Sequence, residues 1–254
     1  DLLGYAAIST GFKSGGFNGA NSNAQTQLIP YSEEELTSYE IGVKSTLLDG
    51  SMQLNAAAFY YDYQDKQEQD IAVTLVGNIS GLTNVDESEV MGAEFEMRWL
   101  PADGWNVDLG VAWLDTEVTK WEAVDGAASS WPNNIVYYDA SGAELAMSPE
   151  WQVNSTVSYE WSVMEGLLMS VAGDISYKDD TSGLVLPEDA TEDYTVMNAR
   201  ISLRSEDEQW RGTLWSNNIA DEDYFPAAFQ GGNGPYVRLM GMPRTYGVTL
   251  DYRF

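Results

Sequence analysis

The stretch VMGAEFEMRWLPADGWNVDLGVAWLDTE, residues 90–117, decides the fold class. Before its PADG segment, every second residue is apolar: Met91, Ala93, Phe95, Met97 and Trp99. After PADG the pattern repeats with Trp105, Val107, Leu109, Val111 and Trp113. Alternation of this kind is typical of strands with one apolar face, and a short Pro/Gly segment between two such strands is a turn signal. The stretch therefore predicts an antiparallel hairpin.

The same alternation recurs along the whole chain and predicts about ten strands, at roughly 2–13, 36–47, 52–67, 90–100, 105–117, 149–161, 167–177, 194–204, 210–219 and 244–254. The connections between these strands alternate in length. Short turns are expected at 48–51, 101–104, 162–166 and 205–208, and long connections at 14–35, 68–89, 118–147, 178–193 and 220–243. Short turns on one side and long loops on the other are typical of transmembrane β-barrels. The pattern predicts an all-β, antiparallel transmembrane β-barrel, and a soluble antiparallel sandwich or barrel is the alternative.

Composition excludes several classes of function. The formal net charge of −28 argues against nucleic-acid binding, which needs a basic surface. Cysteine and histidine are both absent, so Ser–His and Cys–His nucleophile systems and His-ligated metal sites are excluded. We therefore expect no enzyme activity and no cofactor. No metal site is expected either: the acidic segment 179–193 is interpreted as a solvated loop, and a site for a hard cation such as Ca²⁺ is the alternative. The acidity indicates either a solvated surface or attraction of cationic ligands.

Membrane-targeting patterns are not visible at the level of the sequence. The chain has no run of about 18 apolar residues that would predict a transmembrane helix. A basic-plus-apolar leader is not visible at Asp1. The sequence is therefore expected to be a mature product or an internal fragment.

Five segments together resemble one family. They are YAAISTGFKSGGFNG (5–19), SYEIGVKSTLLDGSMQLNAAAFYYDYQD (38–65), the 90–117 hairpin, LWSNNIADEDYF (214–225) and RTYGVTLDYRF (244–254). In this order they resemble the barrel of TonB-dependent outer-membrane receptors. The resemblance implies that residues 1–254 form the C-terminal portion of a 22-stranded barrel, without the N-terminal plug and energy-coupling box. A free-standing ten-stranded barrel is the alternative. An exposed edge, or an incomplete barrel, is then expected where residues 244–254 should close against a strand outside this chain.

The resemblance also implies a function: active import of a scarce nutrient, most often a ferric siderophore, across the outer membrane of a Gram-negative bacterium. The implied partners are the TonB complex, through the N-terminal region, the barrel-assembly machinery, and lipid and lipopolysaccharide. A passive or structural barrel, such as a porin or adhesin, is the first alternative. A soluble carbohydrate-binding β protein is the second.

Candidate site residues fall into two sets. Aromatic side chains in the long loops can stack on a planar ligand: Trp121, Trp131, Tyr137, Tyr138, Phe225, Phe229 and Tyr236. Packing between loops, or anchoring at the membrane interface, is the other explanation for these aromatics. The resemblance assigns the assembly signal to the last strand, with Tyr246, Gly247, Leu250, Tyr252 and Phe254. Arginines 98, 200, 211 and 244 are expected to pair with carboxylates inside the barrel or at its rims.

Overall fold

The computed structural model describes residues 1–17, 30–74, 77–125, 128–130, 134–183, 190–230 and 236–254. Its strands are β1 (Leu2–Lys13), β2 (Gly16–Phe17), β3 (Pro30–Tyr31), β4 (Glu34–Leu47), β5 (Met52–Thr74), β6 (Gly77–Trp99), β7 (Trp105–Lys120), β8 (Glu122–Val124), β9 (Tyr137–Asp139), β10 (Trp151–Met164), β11 (Leu167–Lys178), β12 (Tyr194–Ser205), β13 (Trp210–Asn217), β14 (Ala227–Gln230), β15 (Tyr236–Leu239) and β16 (Thr245–Tyr252). A short 3₁₀ turn spans Leu48–Gly50.

Ten of these strands form one antiparallel sheet in the order β1-β4-β5-β6-β7-β10-β11-β12-β13-β16. They are the ten strands that the sequence predicts, and each pairs with its neighbour in chain order. The three short pairs β2–β3, β8–β9 and β14–β15 lie in the long connections. The sheet is open, because β1 pairs with β4 and β16 pairs with β13, and neither edge has a second partner among the described residues. The expected exposed edge is therefore present.

The connection predicted at 68–89, for which the sequence also allows an extra hairpin around IAVTLV (71–76), is strand-paired and continues β5 and β6 as one long hairpin. Strands β5 and β6 are 23 residues each and stay paired from Met52↔Trp99 to Thr74↔Gly77. Because about 9–11 tilted residues cross a bilayer, the outer half of this hairpin projects beyond the membrane. The sequence misled here because polar residues such as Gln67 and Asn84 interrupt the alternation without ending the strands.

The strands present two different faces. On the apolar face, directly opposed residues are apolar on both strands, as where Phe95 lies between Ala56 and Val111. This face continues to the last strand, where Tyr246 and Leu250 are each 82% exposed. Such exposure of large apolar side chains is unfavourable in water and is expected for a wall that faces lipid.

The opposite face is polar and carries paired charges. Arg98 Nε lies 3.0 Å from an oxygen of Asp108, its cross-strand neighbour. Arg200 contacts Asp174 at 2.8 Å, and Thr156 donates a hydrogen bond to the same carboxylate. These contacts confirm the expected pairing of Arg98 and Arg200 with carboxylates, whereas Arg211 forms no ion pair with any described residue.

Three aromatic–glycine pairs repeat across this polar face. Tyr5 lies opposite Gly42, Phe59 opposite Gly92, and Trp215 opposite Gly247. In each pair the aromatic ring covers the glycine so closely that a Cβ would overlap it, as at Gly92, where a Cβ would lie 2.5 Å from the Phe59 ring. A ring over an exposed strand glycine shields the backbone and helps to fix the register of the two strands. The rings therefore lie along the wall and do not project from it.

Substitution of one such glycine tests this packing. We expect Gly92→Ala to lower the free energy of unfolding by about 1–3 kcal/mol, because the new methyl group displaces the Phe59 ring and overlaps Leu114. Urea unfolding of the protein in detergent, followed by heat-modifiable migration on a gel, measures the loss. Gly110→Ala is the matched control, since a Cβ at Gly110 has no atom within 4 Å. Equal stability of the two variants would contradict the assigned role of the ring.

Candidate functional site

The connection between β7 and β10 folds back onto the sheet. Strand β10 pairs with β7 only up to Trp113, which leaves the upper edge of β7 without a strand partner. Residues 140–145 occupy this edge. The Val118 N–H donates to the Ala143 oxygen at 2.7 Å, and the Gly142 N–H donates to the Val118 oxygen at 2.8 Å. These bonds satisfy backbone groups that would otherwise be unpaired, and so they give the loop a fixed position.

A small hydrophobic cluster lies beneath this loop. Its buried members are Phe59, Val85, Val90, Val118 and Leu145, and Trp121 packs against them. Leu145 comes from the loop, whereas the other four buried members come from strands β5, β6 and β7. Burial of Leu145 against the strands therefore adds apolar packing to the backbone hydrogen bonds that hold the loop in place.

A cavity of about 710 Å³ opens above the cluster, between the β5–β6 hairpin and the connections that follow β7 and β11. Val85 and Val118 form part of its apolar floor, and Trp121 and Tyr138 line its sides. Small-molecule sites in proteins usually have volumes of about 300–1,000 Å³ and an apolar lining with a few polar groups. The structure thus brings two of the predicted aromatic residues into one cavity.

Carboxylates supply much of the polar lining. Glu68, Asp70, Asp139 and Glu144 all line the cavity. Ser141 N–H donates to Asp139, and hydrogen bonding by Ser141 holds the pKa of this carboxyl below its usual value. Glu144 accepts a 2.7 Å hydrogen bond from Ser182, which joins the two connections.

Tyr138 keeps its proton in this environment. Burial, followed by the nearby charges of Asp70 and Asp125, raises the pKa of the phenol above its ordinary value. The hydroxyl group is therefore neutral at physiological pH. It presents a hydrogen-bond donor beside an aromatic face, a combination that suits recognition of a polar planar group.

The other predicted loop aromatics do not join this cavity. Tyr137 precedes Tyr138 in β9, so its side chain points to the opposite face of the strand. It is 58% exposed and does not line the cavity. Phe225 lies in the connection before β16, where Arg238 stacks over its ring at 5.4 Å. The backbones of Phe229 and Tyr236 lie in the β14–β15 pair. Trp131 falls outside the described residues. A shared ligand role for all seven residues stays a prediction.

A hydrogen-bonded cluster around Asn218, called the Asn218 node below, fixes the β13–β16 connection. Asn218 lies in the 214–225 segment that resembles the receptor family, but the resemblance assigns no role to it. Asn218 is buried, and its side-chain amide donates to the backbone oxygens of Glu222 and Met242 at 2.8 and 3.1 Å. Its side-chain oxygen accepts the Glu222 N–H at 2.9 Å. Asp221 then pairs with Arg244 at 3.0 Å, which confirms the expected pairing of that arginine with a carboxylate. One side chain thereby ties both ends of the connection together.

Tyr224 completes the same node. It stacks near Tyr194 of β12, with 4.6 Å between ring centroids. Its ring also lies against Gly241, where a Cβ would overlap it. The spacing of Asn218, Asp221 and Tyr224 therefore reflects a fold requirement at the loop end of the sheet.

The residues assigned to assembly lie on β16 and just after it. Tyr246, Leu250 and Tyr252 share the apolar face, and Gly247 faces the other way under Trp215. Tyr252 and Phe254 meet edge-on, with 5.2 Å between their centroids. This geometry does not test recognition by the assembly machinery, which stays a prediction.

No group of three or more acidic side chains in the described ranges is arranged to hold a metal ion. No helix in the part of the chain that the structure describes is long and apolar enough to span a membrane.

Antiparallel strands with one apolar and one polar face, joined by short turns at one end and by large folded connections at the other, define an outer-membrane β-barrel wall. Comparison with known families agrees: residues 1–219 match the family described as TonB dependent receptor-like, beta-barrel. The chain belongs to this family, which consists of outer-membrane receptors of Gram-negative bacteria and not of enzymes. Family membership argues against the soluble alternative.

Two individual proteins are similar to this chain in sequence. A protein of Acinetobacter baumannii named "Probable TonB-dependent siderophore receptor PiuA" is 28% identical over 232 residues, covering 88% of this chain and 28% of the relative. The pesticin receptor of Yersinia pestis is 22% identical over 251 residues, covering 98% of this chain and 33% of the relative. This chain therefore spans about a third of the length of these relatives.

Solved structures show the same fold. The ferric yersiniabactin uptake receptor FyuA of Yersinia pestis superposes with a TM-score of 0.73 at 18% identity, covering 98% of this chain and 34% of that one. The siderophore receptor PiuA of Acinetobacter baumannii gives a TM-score of 0.68 at 22% identity, covering 98% and 33%.

The Asn218 node yields a stability prediction. We expect Asn218→Ala to destabilise the β13–β16 connection by about 1–3 kcal/mol, because the three hydrogen bonds that join Asn218 to Glu222 and Met242 are lost. Limited proteolysis of intact cells would then cleave between residues 220 and 243 faster than in the unaltered receptor. The adjacent, exposed Asn217→Ala is the matched control. Equal cleavage of the two variants would show that Asn218 does not hold the connection.

Proposed function

We propose that this chain forms the C-terminal part of the barrel of a TonB-dependent receptor that imports a ferric siderophore across the outer membrane. In this proposal the barrel wall and connections bind the chelate, and TonB supplies energy through the N-terminal region of the complete receptor. The observation that carries the proposal is that relatives named as siderophore receptors align with nearly the whole chain, while an aromatic cavity lies at its loop end.

The position of the cavity supports a role in capture. It lies at the end of the sheet opposite the short turns, among the connections that project beyond the membrane-spanning strands. Backbone hydrogen bonds and the hydrophobic cluster hold its lining in place before any ligand arrives. A preformed site loses less conformational entropy on binding than one that must fold around its ligand.

Uptake in cells tests this proposal. A strain that lacks the complete receptor is grown under iron limitation and supplied with radiolabelled iron in a panel of ferric siderophores. Restoration of the receptor gene should restore uptake of at least one chelate, and deletion of TonB should abolish that uptake. Uptake that persists without TonB would favour the passive-barrel alternative. If the receptor changes uptake of no chelate in the panel, the siderophore proposal is wrong.

Adjacent tyrosines give a sharper test of the cavity. We expect Tyr138→Ala to weaken binding of the imported ferric siderophore by about tenfold, since it removes an aromatic contact inside the cavity. Quenching of tryptophan fluorescence in the purified complete receptor measures the dissociation constant. Tyr137→Ala, which removes the same side chain from outside the cavity, should leave that constant unchanged. The same affinity loss in both variants would place ligand binding elsewhere.

A further inference from the structure

The cavity between the connections is lined, among the described residues, by acidic side chains and by no basic ones. None of the 12 lysine and arginine residues of the chain is among its described lining residues. The sequence between Trp121 and Glu150 contains no basic residue, and neither does the sequence from Asp179 to Asp193. The negative charge of the cavity is therefore not offset from within the two connections that form most of it.

The lining carboxylates differ in how their charge is compensated. Glu68 forms an ion pair with Lys66, so its charge is balanced locally. Asp139 and Glu144 form no ion pair with any described residue, and their hydrogen bonds come from the neutral donors Ser141 N–H and Ser182 Oγ. Neutral donors orient a carboxylate and stabilise its anionic form without cancelling its charge. Two anionic groups thus remain available to a ligand.

The remainder of the lining makes this a formed cavity and not only an acidic surface. Its floor is apolar, with Val85 fully buried and Val118 3% exposed. Asp70, in its wall, is only 8% exposed. Trp121 and Tyr138 add aromatic surface beside the carboxylates. An ammonium or guanidinium group gains both from a nearby carboxylate and from the face of an aromatic ring, and an anionic group is repelled at the same place.

We infer that this cavity selects a ferric chelate that bears a cationic substituent, and that it discriminates against anionic chelates. The inference rests on the proposed function and adds the charge class of the substrate. Asp139 and Glu144 are the specificity-determining residues, and the aromatic side chains hold the adjoining apolar part of the ligand. The acidic connections around the cavity also raise the local concentration of cationic chelates and so increase their rate of encounter.

A matched pair of chelates tests the inference with the complete receptor. The first is a ferric trishydroxamate with a pendant primary amine, which is positively charged at neutral pH. The second is the same chelate with that amine acetylated, which has nearly the same shape but no charge. A ferric triscatecholate, which is strongly anionic, is the third probe. We expect the amine form to bind about tenfold more tightly than the acetylated form, and the triscatecholate to bind most weakly.

Paired substitutions locate the effect. Asp139→Asn combined with Glu144→Gln should reduce the preference for the amine form over the acetylated form to about twofold or less. Glu122→Gln combined with Asp193→Asn changes the total charge equally at exposed positions that do not line the cavity. This control pair should retain the preference. Loss of preference in both pairs would mean that the overall field, and not the cavity, selects the ligand, and would overturn the assignment.

The remaining outcomes separate this inference from the proposed function. Equal binding of the amine and acetylated forms to the unaltered receptor, or tighter binding of the triscatecholate, would overturn the inference. If none of the three chelates binds, the inference is also wrong. In each of these cases, TonB-dependent uptake of another ferric siderophore in the cell assay would leave the proposed function standing.

Discussion

A strand that crosses lipid can leave no backbone N–H or C=O group without a partner, because the hydrocarbon core offers no water to replace a lost hydrogen bond. Ten antiparallel strands meet this requirement along their shared edges, and their register follows from it. Residues directly opposite each other then lie on the same face, so an alternating sequence becomes one apolar and one polar wall. The paired arginines and the aromatic–glycine contacts are consequences of that register on the polar side.

The same requirement shapes the end of the sheet where the strands differ in length. Strands β5 and β6 extend past their neighbours, and β7 extends past β10, so backbone edges would be exposed there. The connection after β7 covers one such edge and buries Leu145 as it does so. The cavity lies between this connection and the sheet, and carboxylates, among them Asp139 and Glu144, line it.

Much of the fold could be read from the alternation of residues. All ten sheet strands and the short turns follow from period-2 patterning and from turn residues, whereas the open edge follows from the family resemblance. The extension of β5 and β6 could not be read in this way, because outside the membrane a strand no longer needs an apolar face, and residues such as Gln67 and Asn84 hide its continuation. The role of Asn218 could not be predicted either. In the sequence it is a polar residue in a loop, but in the structure it is buried and joins both ends of its connection.

For the site, the sequence by itself determined the supply of groups: aromatic residues in long connections, an excess of carboxylates, and neither histidine nor cysteine. Only the tertiary structure decided which of these groups meet. It places Trp121 and Tyr138 with Asp139 and Glu144 in one cavity, and it leaves Tyr137 and Phe225 outside. The physical reason is that strand alternation fixes direction only within paired segments. In a connection, the position of each side chain depends on which unpaired strand edge the loop backbone binds. That edge is formed by strands that are distant in sequence.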